Sequence, residues 1–496
     1  MAQDLKHRVA RTIKWNIIDR VASQVLYAVT GIVLARVLSQ SDFGLVGAIL
    51  VFQAFALVFV DSGFSSALVQ RKDPDEKDYS TVFWFNLGIA VVLYGMLWLM
   101  APWIASLFQN DARLIPLARV MFLAIVINAT AIVQTNRLMK QMDVRLVAVS
   151  NALGLSLAAV VGIWMALAGF GAWAIVWQTL TLNAVKSLVL WFGTGWRPQL
   201  TFSMERLRGV FKVGIGVMGQ SLLNTIFQNA TSFFIGNRVN LTSLGYYTQA
   251  DKWSKMGITS ISQVLTSSFL APLSNVQDDR ERFLNQTSKM TALTSWILFP
   301  AMFVLAAMAT PIFHALFSDK WDASIMLFRL LLLRGVFTVM TSLYNNFILA
   351  LGRSRLLVRT EIVRDVVAVI AIVVTLPYIA LSTDADPVEG VRIFVWGQVA
   401  ASAITWAYTL WLTSRTTGLS IGRMLAEPLP YLLTAALTAA AVWALSLIPA
   451  NIWLILALQT AATLVLYLPL IALTERHTST VIQSDVLAYL RGKPLA

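Results

Sequence analysis

The apolar positions of this chain come in runs of about 20 residues, each long enough to cross a bilayer as a helix, separated by short polar links. These runs predict helices near 15–37, 44–68, 80–105, 114–138, 146–168, 171–193, 210–236, 244–272, 289–310, 324–350, 356–380, 391–413, 429–448 and 451–473. The pattern thus gives about fourteen spans, the eighth being the most polar because it contains YYTQADKWSKMGITSISQ. The longer links, 194–209, 273–288 and 381–390, are too short for a soluble catalytic domain. The predicted class is an all-α polytopic membrane protein.

Charge makes the prediction directional. With a cytosolic N-terminus, Lys6, Arg8, Arg11 and Lys14 lie inside, and alternate links continue with Arg71, Lys72 and Lys77, then Arg137, Lys140 and Arg145. Arg197, Arg206, Arg208 and Lys212 follow, then Arg280, Arg282 and Lys289, then Arg353, Arg355 and Arg359, then Arg415 and Arg423, and the tail closes with Arg476, Arg491 and Lys493. The opposite links carry fewer cations and hold Asp384, Asp386 and Glu389. Both termini are therefore expected in the cytosol, and the basic start MAQDLKHRVARTIK, lacking a small-residue cleavage site, reads as uncleaved. The net charge of +13 is then explained by anionic headgroups, and no nucleic-acid partner is called for. Composition agrees: 57% of residues are hydrophobic, 13% are charged and mean hydropathy is +0.70. With no cysteine, and with His7, His314 and His477 at no metal-ligand spacing, no metal, disulfide or cofactor is implied.

The chain repeats itself weakly. A shift of 201 residues lays TGIVLARVLSQSDFGLVG (30–47) over TSFFIGNRVNLTSLGYYT (231–248), matching Thr30 with Thr231 and Gly44 with Gly245. Upstream, Asp19, Ser23 and Tyr27 fall on Gln220, Asn224 and Gln228, each set at helical spacing on one face. The run LGRSRLLVRTE (351–361) before the eleventh span resembles KQMDVRLVAVS (140–150) before the fifth. Two pseudo-symmetric six-helix lobes are expected, 1–205 and 206–415, followed by two additional helices at 416–475 and a cytosolic tail at 476–496. Six is even, so the lobes share one orientation and relate by an axis along the membrane normal.

The run LARVLSQSDFGLVGAILVFQAFALVFVDSGFSSALVQRKDPDEKDYSTVFWFN (34–86) resembles the N-terminal region of the polysaccharide-transporter branch of the MOP superfamily, the Wzx and colanic-acid-exporter type flippases. The resemblance extends over nearly the whole chain in span count and repeat, with the sharp motif confined to the first three helices. It implies a V-shaped cavity lined mainly by helices 1, 2, 7 and 8, alternating access, and an undecaprenyl-pyrophosphate-linked oligosaccharide as cargo. It also implies the bacterial inner membrane, with polysaccharide polymerase and export machinery as partners. No fixed residue signature comes with it.

Polar residues inside the spans are the candidates for chemistry, because an ionisable group at membrane depth tends to face a wet cavity or a partner. Asp61 stands ten residues before Arg71, about 15 Å along a helix, which is near the midplane of a bilayer. It has no basic residue within a turn on its own helix, and it is the candidate for ion coupling; the competing reading is a structural hydrogen bond. Sugars need amide and hydroxyl partners and aromatic platforms, and Asn16, Asp19, Arg20, Ser23, Gln24 and Tyr27 on the first helix and Gln220, Asn224, Gln228 and Asn229 on the seventh supply them. Tyr246, Tyr247 and Trp253 add platforms on the eighth. Interhelical packing explains any one of these as well. For a pyrophosphate, cations are wanted: Arg20, Lys186, Lys252, Lys255, Arg329, Arg334 and Arg364 are available, and Arg20, Lys252 and Arg334 are preferred. Asp251 with Lys255, and Glu361 with Arg364 and Asp365, are spaced to neutralise one another.

Two further motifs are set aside. GIGVMG (214–219) has dinucleotide-loop spacing but lies in an apolar span, where small residues suit close helix packing or bending. DAD (384–386) falls on the outer side, away from nucleotides. The leading expectation is a non-enzymatic flippase for a lipid-linked oligosaccharide in contact with membrane lipids. The alternatives are a MATE-like exporter of small cations, which would favour more acidic cavity residues, and a membrane-embedded glycan polymerase or ligase, which would favour a substantial outer loop.

Overall fold

The computed structural model describes residues 2–61, 74–383 and 386–474, so Arg71, Lys72, the DSGFSS segment beyond Asp61, Asp384, His477 and the basic tail lie outside the described residues. Among the described residues the regular structure is helical, with no strand. Contacts divide the chain into two compact units, Met1–Thr248 and Gln249–Ala496.

The first unit contains α1 (Ala2–Val37), α2 (Gln40–Asp61), α3 (Glu76–Leu107), α4 (Leu114–Met121), α5 (Leu123–Lys140), α6 (Arg145–Leu167), α7 (Trp173–Thr194), α8 (Met204–Arg238) and the start of α9 (Leu241–Ser274). Here α6 packs on α7 and α1, α5 on α7 and α3, and α2 on α8. Tyr79, Val82, Phe83, Val133 and Trp196 form one buried cluster, and Leu34, Leu38, Met165 and Ala174 another. The second unit contains α10 (Arg280–Ala307), α11 (Ala309–Phe317), α12 (Asp322–Ala350), α13 (Ser354–Thr375), α14 (Glu389–Thr417), α15 (Ile421–Ala426), α16 (Leu429–Leu445) and α17 (Ile452–Thr474). In it α12 and α13 pack on α14, and α10 on α16, with Val304, Met308, Ala439 and Val442 between the last pair's neighbours.

Eleven helices of the described residues are long and apolar enough to cross a membrane. The polar α8 and α9 are not among them, and Ile452–Tyr467 is a shorter apolar helix. Within the described residues the predicted spans fall on helix, with 114–138 broken at Phe122 between α4 and α5, 289–310 broken at Met308 between α10 and α11, and 356–380 ending in a 3-10 turn from Leu376; the part of 44–68 beyond Asp61 lies outside the described residues. The outer faces suit lipid: α13 exposes Val358, Ile362, Val366, Val369 and Val373. Such an apolar face would be unstable in water and costs nothing against acyl chains.

Capping moved two boundaries. The link 273–288 was expected as loop, yet α10 starts at Arg280 because the Asp279 carboxylate accepts from the Arg282 N–H at 3.1 Å. Likewise Ser203 caps α8, which begins at Met204 inside the expected 194–209 loop. Gly216 and Gly219 of GIGVMG do not serve close packing in this conformation: a Cβ on either would meet nothing within 4 Å.

Close packing falls instead on the repeat glycines. A Cβ on Gly44 would lie 2.6 Å from the carbonyl carbon of Leu241, and one on Gly245 would lie 2.7 Å from that of Gln40. The shift of 201 exchanges Gly44 with Gly245 and Gln40 with Leu241, so the contact is reciprocal under the repeat. The same shift carries Gly47 onto Thr248, whose methyl would be 2.9 Å from a Cβ on Gly47. The two resembling turns also close alike: the Asp143 N–H donates to Leu138 O after a left-handed Met142, and the Arg353 N–H to Ile348 O after a left-handed Gly352.

Candidate functional site

On α8 the amides Gln220, Asn224 and Gln228 recur every four residues and are all exposed, so they form one polar stripe along the helix. Asn229 is turned away, its amide donating to Thr225 O at 2.8 Å. The corresponding face of α1 is split. Arg20 and Tyr27 are exposed. Asp19 turns inward instead and accepts from Asn151 Nδ2 of α6 at 3.2 Å and from Ser23 Oγ at 3.4 Å. Asp19 and Ser23 therefore take part in polar packing between α1 and α6.

Asp61 is exposed at the end of the described part of α2. The cation that its own helix lacks comes from α7: Lys186 interacts electrostatically with both Asp19 and Asp61. A Cβ on Gly154 of α6 would lie 3.0 Å from Leu182 O and 3.6 Å from the Lys186 N, so the missing side chain brings α6 against the turn of α7 that carries the lysine. The charge of Lys186 thus acts on a carboxylate of α1 and one of α2, the first of which is bonded to Asn151.

In the second unit the central group is Arg334 on α12. Its Nη1 donates to Gln398 Oε1 of α14 at 2.6 Å, and its Nη2 stands 3.6 Å from Asp251 Oδ1 of α9. The other oxygen of Asp251 holds Lys255 Nζ at 2.6 Å, the spacing anticipated for that pair. Two cations around one carboxylate leave the triad one positive charge in excess, and the side chains of Arg334 and Asp251 are only 22% and 15% exposed. Lys252 is exposed, with its ammonium 5.6 Å over the Trp253 ring.

Other candidates separate from this group. Tyr247 is 2% exposed, and this burial leaves no face for a sugar in this conformation. Arg329 donates to Ala306 O at 3.0 Å and Thr310 Oγ1 at 3.1 Å, which ties α12 to the α10–α11 corner. Arg364 pairs with Glu361 at 2.5 Å and Asp365 at 3.0 Å.

Sequence reasoning missed an acidic clasp at the start of α3. Asp75 and Asp78 form a capping box, the Asp78 N–H donating to Asp75 Oδ1 at 2.8 Å and the Asp75 N–H to Asp78 Oδ2 at 3.1 Å. Arg206 of α8 pairs with Asp75 and, at 3.1 Å, with Asp78, while Arg137 of α5 pairs with Glu76 at 2.8 Å. Trp196 Nε1 donates to Glu76 Oε2 at 2.5 Å, the Gln199 N–H to Ser80 Oγ at 3.0 Å, and Trp84 Nε1 to Gln199 O at 2.8 Å. The segment joining α7 to α8 is thereby bound along the DEKDYSTVFW stretch (75–84). The hydrogen bond from Arg206, followed by that from the Asp78 N–H, lowers the Asp75 carboxyl to about 2. The D-x-x-D spacing was the available signal.

The family model described as "Polysaccharide biosynthesis protein" matches residues 33–326. Among curated relatives, the succinoglycan biosynthesis transport protein ExoT of Rhizobium meliloti (strain 1021) is 27% identical over 72% of each chain. The teichuronic acid biosynthesis protein TuaB of Bacillus subtilis (strain 168) is 26% identical over 69% of this chain and 71% of that one. The lipopolysaccharide biosynthesis protein WzxC of Escherichia coli (strain K12) is 23% identical over 75% of each. Among solved structures, the lipid II flippase MurJ in an inward closed conformation superposes with a TM-score of 0.72 at 15% identity, covering 94% of this chain and 99% of that one. An inward-facing multidrug resistance MATE family transporter of the MOP superfamily gives 0.58 at 18% identity, over 82% and 99%. At these identities the structural likenesses speak for the fold.

Proposed function

Because the chain belongs to the polysaccharide biosynthesis protein family, we propose that it is a flippase that moves a lipid-linked oligosaccharide from the cytosolic to the periplasmic leaflet of the bacterial inner membrane. The observation that carries this reading is the exposed amide stripe Gln220, Asn224 and Gln228 on α8, interleaved with the exposed apolar side chains of Ile215, Leu223 and Ile226. Amides desolvated in lipid without partners cost several kcal/mol each, so a wet path or a polar cargo must meet them. The names of the relatives, which concern succinoglycan, teichuronic acid and lipopolysaccharide biosynthesis, support a glycan as that cargo.

In this proposal Gln220, Asn224, Gln228 and Tyr27 contact sugar hydroxyls and ring faces, while Arg20, Lys252 and Arg334 attract the pyrophosphate. The six-helix lobes 1–205 and 206–415 open alternately to the two membrane faces, the helices at 416–475 are additions to that machine, and both termini are cytosolic. Asp61 couples opening to an ion gradient, with Lys186 as the charge it exchanges against. Polymerase and export proteins take the delivered unit. Likeness to a MATE transporter makes small-cation export the second reading, which the cationic excess around Arg334 disfavours.

The test is leaflet transfer of a fluorescent polyprenyl-pyrophosphate oligosaccharide in proteoliposomes. Protein-dependent transfer is expected. Glycan lengthening or transfer to another acceptor in place of leaflet transfer would instead identify an enzyme.

A further inference from the structure

Two apolar cavities lie along one seam of the first unit. The larger, about 630 Å³, is walled by Phe59 of α2, by Trp84, Gly88 and Val92 of α3, by Phe202 of the joining segment and by Met218 of α8. The smaller, about 280 Å³, is walled by Phe52 and Phe55 of α2 and by Ile226, Ala230 and Phe233 of α8. Phe52, Phe55 and Phe59 recur at i, i+3 and i+7, one stripe of α2, so both cavities share the same wall. From Met218 to Phe234 the α8 wall rises about 24 Å, most of the depth of a hydrocarbon core of roughly 30 Å.

The ends of the seam differ. One end closes on rings set edge to face: Phe52 against Trp103 and Phe108, at 6.4 and 6.3 Å between centroids, and Phe108 against Phe233 at 6.0 Å. Toward the other end, Lys77 in the first turn of α3 is exposed and lies 7 and 11 positions before Trp84 and Gly88, hence on the same helical face. A Cβ at Gly88 would meet nothing within 4 Å, so the absent side chain is space that the helices do not use.

We propose that this seam is a docking track for the polyprenyl chain of an anionic carrier lipid, with Lys77 meeting its phosphate; the proposal rests on the flippase reading above. Acyl chains are as apolar as the wall, so apolar burial alone selects nothing inside a membrane. Selection must come from shape and charge. A stack of rigid rings with a gap at Gly88 suits a single methyl-branched, unsaturated chain, whose flat segments lie against ring faces. A cation at the open end suits its phosphate. A chain held along α2 and α8 stays in lipid-like surroundings while the glycan crosses, so the two ends of the carrier part company without the tail entering water.

The experiment uses the full-length protein in nanodiscs carrying either a diazirine-bearing polyprenyl phosphate or a diazirine-bearing phosphatidylglycerol, with labelled residues mapped by mass spectrometry. The polyprenyl probe is expected to label 84–93 and 218–234 about five-fold more than the phospholipid probe at equal mole fraction. Gly88→Phe should abolish that excess, and Gly422→Phe, whose site is also open but lies on α15 of the second unit, should not. Equal labelling by both probes, or polyprenyl labelling confined to other segments, overturns the track, and this comparison needs only the wild type. Oligosaccharide transfer measured on the same preparation separates the two readings. Transfer without preferential labelling leaves the flippase and removes the track. Preferential labelling without transfer keeps the track and removes the flippase.

Discussion

Gly44→Ala tests the reciprocal crossing of α2 and α9. The new methyl would stand 2.6 Å from the Leu241 carbonyl carbon, and ordinary contact begins at 3.4 Å, so the helices must part by at least 0.8 Å. The obstacle is backbone and cannot rotate away. Alanine in a helix interior otherwise gains about 1 kcal/mol over glycine, whereas overpacking costs about 1–3 kcal/mol and more when backbone must move. The expected net loss is about 2 kcal/mol, read as a lowered midpoint of thermal unfolding in detergent. Gly216→Ala, on a face with nothing within 4 Å, should be neutral or stabilising. Gly245→Ala needs a displacement of at least 0.7 Å at the same crossing, from 2.7 Å. The separation that admits the first methyl admits the second, so the double variant should lose clearly less than the sum. A Gly44→Ala protein as stable as wild type, or strict additivity in the double variant, would refute the reciprocal contact.

Arg334→Ala should impair export at normal membrane insertion, because it removes the cation that Gln398 and Asp251 hold in place and leaves Asp251 with Lys255 alone; unchanged export removes Arg334 from the cargo path. Asp61→Asn should abolish the response of leaflet transfer to an imposed proton or sodium gradient while transfer down the cargo gradient persists, and a retained response would make the residue structural. The clasp predicts a pH effect of defined sign. The native Asp75 carboxyl titrates at about 2, below its ordinary 3.8, so its pairing with Arg206 stabilises the protein above about pH 4 and is lost as pH falls toward 2. The unfolding midpoint of wild type should therefore exceed that of Asp75→Asn at pH 5 and converge with it at the acid end of this window; a constant gap would rule out the pairing.

Legibility differed from residue to residue. The amide stripe at Gln220, Asn224 and Gln228 was readable because helical periodicity alone puts these residues on one face. Asp19 and Tyr247 show the limit of that signal: periodicity gives the face of a helix but not what covers it, and Asn151 bonds the first while packing within the first unit buries the second. The acidic clasp went unread because its partners Arg137 and Arg206 come from distant helices.

By itself the sequence determined the membrane class and the helical segments, since these follow from run length and composition, local properties of the chain. Only the tertiary structure decided which glycines bear a helix crossing, that Lys186 interacts with Asp19 and Asp61, and that Arg334 is shared between Gln398 and Asp251. Those outcomes depend on the rotation and height at which one helix meets another. Small residues and charges recur along many faces of this chain, and the packing of whole helices selects among them.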